Sequence, residues 1–220
     1  MSRIKECGLP VSSVVDVGVR ECTAELKAAF PSLHHYLFEP VSGFFPAIER
    51  NYRDVGHQIF EIALSDVNTT SYLVSSALEG DGVTTHSNIR PEPQVVDGAR
   101  ITGCDEIHVR RFDTLDLDVG SDFLLKVDVD GQDLNVLKGF GTDLKRASVV
   151  MVEVTYASVI QRLNFLSESG FHMIDFVDLV YYGAALYQFD AVFVRTDLVD
   201  KQLRPPISQF DANLWRPLVV

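Results

Sequence analysis

The chain has 220 residues, 46% of them hydrophobic, which is enough for one domain with a substantial core and argues against bulk disorder. Its formal net charge of -12 at pH 7 disfavours DNA, RNA and anionic membranes as primary partners, because phosphate groups are bound by basic surfaces. No apolar run reaches the length of a membrane span, and the first residues lack the apolar core of a signal peptide. The three scattered cysteines form no disulfide framework, so we expect a cytoplasmic protein without membrane insertion.

Strands and helices alternate over the first 64 residues. The sequence predicts strands at 12–17, 33–38 and 58–64, with one helix over 20–30 and a second helix that Ser42 caps. Strands that are separated by helices pair through right-handed crossovers, so we expect a parallel sheet in this part of the chain.

The next segment, residues 75–106, is rich in Gly, Pro, Ser, Thr and Asp and shows little periodicity. A connection of this length is usually functional or mobile, so we predict an irregular insertion that acts as a lid. Strand-like pieces flank it at 69–74 and 107–112. His86 lies within the insertion and can reach over a cleft as a base, although a solvated loop histidine is the more ordinary interpretation.

Residues 123–139 are the most informative stretch of the sequence. A short apolar strand over 123–129, typical of burial on both faces, is followed by a short helix. Asp128 and Asp130 lie at the carboxyl end of the strand, and Asp133 lies where the helix begins. Open α/β sheets bind their ligands at the carboxyl ends of their strands, so this stretch predicts a site.

Lys126 precedes Asp128 by two residues and therefore shares its strand face. A structural ion pair explains this arrangement, but opposite charges at the ligand-binding end of a strand more often mark a functional site. The three carboxylates can alternatively gather a magnesium ion through their oxygens. The calcium-loop spacing does not fit, and the six histidines make no i, i+4 pair. Lys126 already supplies positive charge beside Asp128, so we expect no metal site.

The segment after the central stretch predicts a strand over 147–154 and then a helix. Ser158 and Gln161 form a capping box for this helix, and Gly170 ends it. Four apolar residues of the helix are expected to face inward: Val159, Ile160, Leu163 and Leu166.

The last part of the sequence predicts strands at 171–180 and 189–195. No helix separates them, so we expect an antiparallel hairpin. The tail over 197–220 reads as irregular. Together the elements predict a single α/β domain over residues 1–220.

The predicted order, parallel strands with intervening helices and then an antiparallel hairpin, is that of class I methyltransferases that use S-adenosylmethionine. Five motifs follow one another along the chain: Val14-Val-Asp-Val-Gly18, Phe38-Glu-Pro40, Leu124-Leu-Lys-Val-Asp-Val-Asp-Gly-Gln-Asp133 with Val136-Leu-Lys-Gly139, Val152-Glu-Val154, and Asp190-Ala-Val-Phe-Val-Arg195. Together they resemble the FkbM family over most of residues 13–195. The resemblance implies a Rossmann-like sheet, S-adenosylmethionine as cofactor, and methyl transfer to a hydroxyl of a sugar, glycan or related small molecule.

The resemblance places Asp16 and Gly18 beside the methionine part of the cofactor. Gly18 stands where a strand turns into a helix whose N-terminus can face the methionine carboxylate, and Asp16 can contact the ammonium. A tight turn and a helix cap are the alternative roles of these two residues. The family usually continues with Ala-Asn-x-Gly, whereas this chain reads Val-Arg-Glu-Cys from residue 19. Arg20 can hold the cofactor carboxylate by a charge-assisted hydrogen bond.

Glu39 ends the second predicted strand, where an acid accepts hydrogen bonds from both ribose hydroxyls in dinucleotide-binding folds. The alternative is an exposed loop glutamate. Ser65 and Asp66 end the third predicted strand and are expected beside the adenine, although Asp66 is equally suited to form a turn.

Methyl transfer requires the enzyme to align the acceptor oxygen with the methyl group and to remove the hydroxyl proton. We rank the candidates for this work as Asp128, Lys126 and Glu153. Asp128 can act as the base or contact the cofactor, and Lys126 can orient Asp128 or lower the pKa of the acceptor hydroxyl. Glu153 ends the neighbouring strand.

Two other function classes compete with this interpretation. A catalytically silent methyltransferase fold that binds a partner is supported by the altered loop after Gly18. A dinucleotide-dependent oxidoreductase is disfavoured, because no Gly-x-Gly-x-x-Gly follows the first strand.

Overall fold

The computed structural model describes residues 2–77, 84–90 and 100–202, with side chains described for residues 4–74 and 104–199. The helices are α1 (Ser2–Glu6), α2 (Ala24–Ala29), α3 (Phe45–Tyr52), α4 (Asp133–Gly139), α5 (Val159–Glu168) and α6 (Thr196–Gln202). The strands are β1 (Ser13–Val17), β2 (His34–Phe38), β3 (His57–Phe60), β4 (Ala63–Leu64), β5 (Thr69–Ala77), β6 (Thr84–Arg90), β7 (Arg100–Arg110), β8 (Phe123–Val127), β9 (Ala147–Thr155), β10 (Phe171–Tyr182) and β11 (Ala185–Arg195).

The main sheet has seven strands in the order β10–β11–β9–β8–β1–β2–β3. From β9 to β3 the neighbouring strands are parallel, whereas β11 runs antiparallel to both β9 and β10. The expected Rossmann-like sheet, mostly parallel with a C-terminal antiparallel hairpin, is therefore confirmed. The carboxyl ends of the parallel strands and the amino end of β11 meet at one edge of this sheet.

The two strands at the centre of the sheet, β1 and β8, are buried at every residue. Apolar clusters cover both faces, with Val15 and Val17 in one cluster and Val14 and Leu124 in the other. Burial on both faces explains why these strands read as continuous apolar runs. Asp16 of β1 and Lys126 of β8 interrupt the second face, and they are direct neighbours in register.

A second sheet, in the order β4–β7–β5–β6, corrects the expectation of an irregular lid over residues 75–106. Where the structure describes this segment, it is mainly antiparallel strand, because β5 pairs with both β6 and β7. Ser- and Thr-rich strands lack the apolar alternation by which strands are recognised in a sequence. Residues 78–83 and 91–99, and the side chain of His86, lie outside the described part of the chain.

The third strand is shorter than the sequence predicts. Strand β3 ends at Phe60, and Ala63 and Leu64 leave the main sheet to pair with Val109 and Arg110 of β7. One apolar run thus supplies strands to two different sheets, which local sequence pattern does not reveal.

Two predicted helix starts are wrong. Helix α2 begins at Ala24 rather than at residue 20, because Arg20 has a left-handed backbone with φ 55° and cannot belong to a right-handed helix. Helix α3 begins at Phe45 after a 3-10 turn, so Ser42 lies in that turn and does not cap the helix.

Helix α5 also departs from its predicted cap and apolar face. The Ser158 hydroxyl accepts a hydrogen bond from the Thr155 backbone N–H at 2.9 Å and makes no cap bond to the helix. Ile160, expected to face inward, is 65% exposed, whereas Arg162 is buried. The physical reason is an ion pair, since Arg162 Nη2 lies 2.8 Å from Asp133 Oδ2.

The start of the tail is helical rather than irregular. Helix α6 covers Thr196–Gln202 and buries Leu198 and Val199 against the main sheet. Residues 203–220 lie outside the described part of the chain. Within the described ranges no helix is both long and apolar enough to cross a membrane.

Candidate active site

A cavity of about 670 Å³ opens at the edge of the main sheet where the parallel strands end. Six of the nine predicted site residues line it: Gly18, Arg20, Glu39, Lys126, Asp128 and Glu153. Asp16 lies directly behind this wall, with its Oδ1 4.0 Å from Lys126 Nζ. The carboxyl ends of β1, β2, β8 and β9 thus bring the predicted site residues together, as expected of an open α/β sheet.

Gly18 forms the sharp turn after β1 and needs to be glycine for two reasons. Its φ is +87°, a left-handed conformation that side-chain-bearing residues rarely adopt. A Cβ atom at this position would also overlap the backbone carbonyl oxygen of Asp128. The turn is held by a hydrogen bond from the Gly18 N–H to the Phe38 carbonyl at 3.0 Å. Gly18 therefore lets the ends of β1 and β8 meet at the floor of the cavity.

Glu39 ties the loop after β1 to the turn after β2. It is only 5% exposed, and its Oε2 accepts the Arg20 backbone N–H at 2.8 Å while Oε1 accepts the Val41 N–H at 2.9 Å. Burial raises the pKa of Glu39, and these two hydrogen bonds oppose that shift. Each carboxylate oxygen has a second lone pair, so both can still accept a hydrogen bond from a ligand hydroxyl.

Asp16 is the most unusual polar group of the site, because it is fully buried and its oxygens are unsatisfied. Thr23 is near enough to favour the charged carboxylate, yet neither oxygen forms a hydrogen bond of normal geometry with any described group. Burial raises the pKa of Asp16, and the charge of Lys126 opposes this. A buried carboxylate without a hydrogen-bond donor is costly and indicates that a donor is missing from the site.

Lys126 lies between two carboxylates. Its Nζ donates a hydrogen bond to Asp128 Oδ2 at 2.9 Å. Burial lowers the pKa of Lys126, but the charges of Asp16, Asp128 and Asp190 and the hydrogen bond to Asp128 outweigh it, and the net shift is upward. Lys126 therefore carries a positive charge and neutralises part of the Asp128 charge.

Three carboxylates stand side by side on β8, β9 and β11, and we call Asp128, Glu153 and Asp190 the carboxylate row. Glu153 and Asp190 are direct partners in register, and Asp128 follows Val127, whose partner on β9 is Val152. The Gln188 side-chain amide donates to Glu153 Oε2 at 2.6 Å. Like charges at such cross-strand positions repel one another, so the row is costly when fully ionised.

The carboxylate row holds a proton at neutral pH. Burial, the charge of Asp128 and a hydrogen bond with Asp128 raise the pKa of Glu153 to about 8. Burial also raises the pKa of Asp190 to about 6, although Lys126 opposes this shift. Strongly perturbed carboxyl groups in a cleft are typical of functional sites.

Sequence reasoning missed Asp190 and Gln188, which both line the cavity. They lie near the start of β11, whereas the sequence predicts site residues only at the carboxyl ends of strands. Because β11 is antiparallel to β9, its amino end lies at the same edge of the sheet as the carboxyl ends of the parallel strands. The antiparallel hairpin predicted from the sequence already implies that residues near the start of its second strand lie at this edge.

Ser65 and Asp66 do not line the cavity. The Ser65 carbonyl packs so closely on Gly139 that a Cβ atom there would overlap it, and the Asp66 carbonyl accepts a hydrogen bond from Arg111 at 2.9 Å. Because β3 ends early, the cavity wall on this side is formed instead by the apolar residues Ile62, Ala63 and Leu64.

Asp133 is not available to a metal ion together with Asp128 and Asp130. It pairs with Arg162, and its Oδ1 accepts the Val129 backbone N–H at 3.2 Å. Over the described residues no group of three His, Cys, Asp or Glu side chains is arranged to hold a metal ion.

Comparison with known proteins identifies the domain type. A sequence model of the methyltransferase FkbM domain matches residues 6–177. The fold is similar to that of an rRNA methylase from Streptococcus thermophilus, at 9% identity and a TM-score of 0.47, with 89% of this chain and 94% of that chain covered. It is also similar to a TehB-like SAM-dependent methyltransferase from Corynebacterium glutamicum, at 10% identity and a TM-score of 0.44, with 88% and 86% covered. These are likenesses of fold alone, and no protein of curated function matches the chain.

Proposed function

The chain belongs to the FkbM family of methyltransferases, which use S-adenosylmethionine, and we propose that it methylates a hydroxyl of a sugar, glycan or related small molecule. Beyond the family assignment, we propose a class of acceptor and a separate role for each side of the cavity. The observation that carries it is the cavity in which Glu39 faces the carboxylate row across the ends of the central strands.

The side of the cavity formed by β1 and β2 is suited to hold the cofactor. Glu39 retains lone pairs for two ribose hydroxyls, and Gly18 lines the cavity beside it. The unsatisfied carboxylate of Asp16 has the charge to attract the cofactor's ammonium group, and Arg20 has the charge to attract its carboxylate. When bound, S-adenosylmethionine supplies a methyl group on a positively charged sulfur.

The side formed by β8, β9 and β11 is suited to a neutral, hydroxyl-bearing acceptor. Carboxylates accept hydrogen bonds from hydroxyl groups, and this wall contributes several: Asp128, Asp130, Glu153, Asp178 and Asp190. Among the described residues that line the cavity, Arg20 and Lys126 are the only cations. Binding of RNA relies on cations that neutralise phosphates, so the wall favours a sugar over a nucleic acid.

The residues expected to perform the chemistry are those ranked from the sequence, namely Asp128, Lys126 and Glu153, together with Asp190. A carboxylate at this wall takes the proton of the acceptor hydroxyl as the oxygen attacks. Lys126 holds Asp128 in place through their 2.9 Å hydrogen bond.

The experiment that tests this proposal follows radiolabelled methyl transfer from S-adenosylmethionine to two sets of acceptors. One set contains neutral mono- and oligosaccharides and polyhydroxylated small molecules, and the other contains transfer RNA and ribosomal RNA. We expect label in at least one neutral hydroxyl compound and none in RNA. Label in RNA alone would contradict the proposed acceptor class, and calorimetry without binding of S-adenosylmethionine would contradict the proposal as a whole.

A further inference from the structure

Glu153 has a distinct position in the carboxylate row, because it is the middle member and has its own hydrogen-bond donor in Gln188. We propose that Glu153 is the catalytic base, that Gln188 positions it, and that the positive charge of bound S-adenosylmethionine expels the proton that Glu153 otherwise holds. The base would then be ready when the methyl donor is present and blocked when the product, whose sulfur is neutral, is present. This inference rests on the proposed function.

The geometry favours Glu153 over Asp128 as the base. Asp128 Oδ2 accepts the Lys126 ammonium at 2.9 Å, so its charge is neutralised at close range and one oxygen is engaged. Among the described residues no cation forms an ion pair with Glu153, which receives a hydrogen bond from the neutral amide of Gln188. A carboxylate without a cationic partner is the stronger base of the two.

Gln188 engages one oxygen of Glu153. Its amide donates to Oε2 at 2.6 Å, so Oε1 is the oxygen that remains to carry a proton. The charge of Asp128 and a hydrogen bond with Asp128 both raise the pKa of Glu153. Loss of the Glu153 proton therefore places a second negative charge beside Asp128.

The charged groups near Glu153 lie on several elements. Asp128 after β8, Asp133 on α4 and Asp130 in the turn between them act on Glu153. Its register partner Asp190 on β11 is in turn influenced by Lys126 on β8 and Asp178 on β10. Asp133 is compensated by Arg162 at 2.8 Å, and Asp128 is compensated by Lys126. Burial is the main cause that raises the pKa of Glu153 to about 8, and the negative charges of Asp128, Asp133 and Asp130 add to it, so Glu153 holds its proton at pH 7.

A cation that binds beside the carboxylate row favours the charged form of Glu153 and so lowers its pKa. An opposite charge within 4–6 Å lowers a carboxyl pKa by roughly 1–3. The O–H bond of the Glu153 carboxylic acid then breaks, the electron pair stays on Glu153, and the proton passes to the buffer. The resulting carboxylate can accept the proton of the acceptor hydroxyl. S-adenosylhomocysteine has a neutral thioether sulfur and supplies no such charge.

The test is titration calorimetry of both ligands in buffers of different ionisation enthalpy at pH 7.5, which counts protons released on binding. The ammonium groups of the ligands also titrate, so the quantity compared is the difference between wild type and Glu153→Gln. For S-adenosylmethionine we expect this difference to be roughly 0.5 to 0.75 proton, from a pKa of about 8 lowered by 1–3. For S-adenosylhomocysteine we expect roughly none, because a neutral sulfur does not displace the proton.

Two further variants separate positioning from general disturbance of the fold. Gln188→Leu removes the donor that stabilises the carboxylate, so the same proton release should appear only at higher pH. Gln161→Leu, on the exposed side of α5, is the matched control and should behave as wild type. A Gln188→Leu release curve that coincides with wild type would remove Gln188 from its role.

The outcomes of the calorimetry distinguish this inference from the proposed function. Failure of both ligands to bind would overturn the cofactor site itself. Binding of both ligands with the same wild-type-minus-Glu153→Gln difference in proton release would overturn the coupling and leave the methyltransferase assignment intact. Proton release with S-adenosylmethionine that is equal in wild type and Glu153→Gln would show that Glu153 is not the group that the cofactor deprotonates.

Discussion

The two sides of the cavity are built differently. On the β1–β2 side, Glu39 bonds to two backbone N–H groups and Gly18 fits against the Asp128 carbonyl, so position is fixed by the main chain. On the β8–β9–β11 side, three carboxyl groups lie near the cation Lys126, so their negative charges are only partly neutralised. One side is suited to recognising a ligand of constant shape, and the other is suited to moving a proton.

The largest effect is expected on turnover, for variants on the β8–β9–β11 side of the cavity. Glu153→Gln keeps the shape of the side chain but removes the base, so turnover with a hydroxyl acceptor should fall by about 100- to 10,000-fold. Affinity for S-adenosylmethionine at pH 7.5 should fall by roughly 3- to 240-fold, because a pKa of about 8 that binding lowers by 1–3 links ionisation of Glu153 to affinity. The loss in the chemical step is therefore measured as turnover at saturating cofactor. Asp128→Asn should lose less, because Asp128 assists without taking the proton. A larger loss in Asp128→Asn would reverse these two roles and restore the ranking made from the sequence.

The second largest effect is expected on the stability of the protein, for a variant on the β1–β2 side of the cavity. Gly18→Ala should lower the free energy of unfolding by roughly 2–5 kcal/mol, because left-handed strain adds to overlap with the Asp128 carbonyl. Gly131→Ala is the matched control, since Gly131 has a φ of +84° but a Cβ atom there meets nothing within 4 Å. It should lose only about 1–2 kcal/mol in the same urea titration. Equal losses would mean that the close approach to β8 contributes nothing.

Affinity for the cofactor should depend on Glu39. Glu39→Ala should weaken binding of S-adenosylmethionine by roughly 1.5–3 kcal/mol, because charged hydrogen bonds to the ribose and to the loop at Arg20 are lost. Glu168→Ala, at an exposed position on α5, should bind as wild type does. Unchanged affinity in Glu39→Ala, measured by calorimetry, would remove Glu39 from the cofactor site.

The smallest effect is the pH dependence of stability. The pKa of Glu153 is about 8 in the folded protein and near 4.5 when exposed, so the folded state binds the extra proton between these values. The free energy of unfolding should therefore fall as pH rises from about 5 to 8, by about 1–2 kcal/mol after allowance for partial exposure of the site. Asp190, with a pKa of about 6, acts in the same direction at the acidic end of this range. The fall should be shallower in Glu153→Gln, and identical slopes in chemical denaturation would contradict the proton assignment.

A site residue could be predicted from the sequence where its position follows from local pattern, and was missed where it depends on distant parts of the chain. Gly18 and Glu39 follow buried apolar strands, so their place at the carboxyl edge could be derived from local pattern and strand order. Asp190 was missed because its position depends on the direction of β11, which only the hairpin topology determines. Ser65 and Asp66 were placed beside the cavity because the run before them reads as one strand, whereas it divides between two sheets. The inward side chain of Arg162 depends on Asp133, 29 residues away, and helical periodicity cannot predict such a pair.

A crystal structure of the protein with S-adenosylhomocysteine is the most direct test that the β1–β2 side holds the cofactor and the β8–β9–β11 side performs the chemistry. We expect the ribose hydroxyls on the Glu39 carboxylate, and the sulfur directed toward the side of the cavity that bears Asp128, Glu153 and Asp190. A ligand whose ribose lies away from Glu39, or whose sulfur faces the apolar wall at Ile62 and Leu64, would contradict the account.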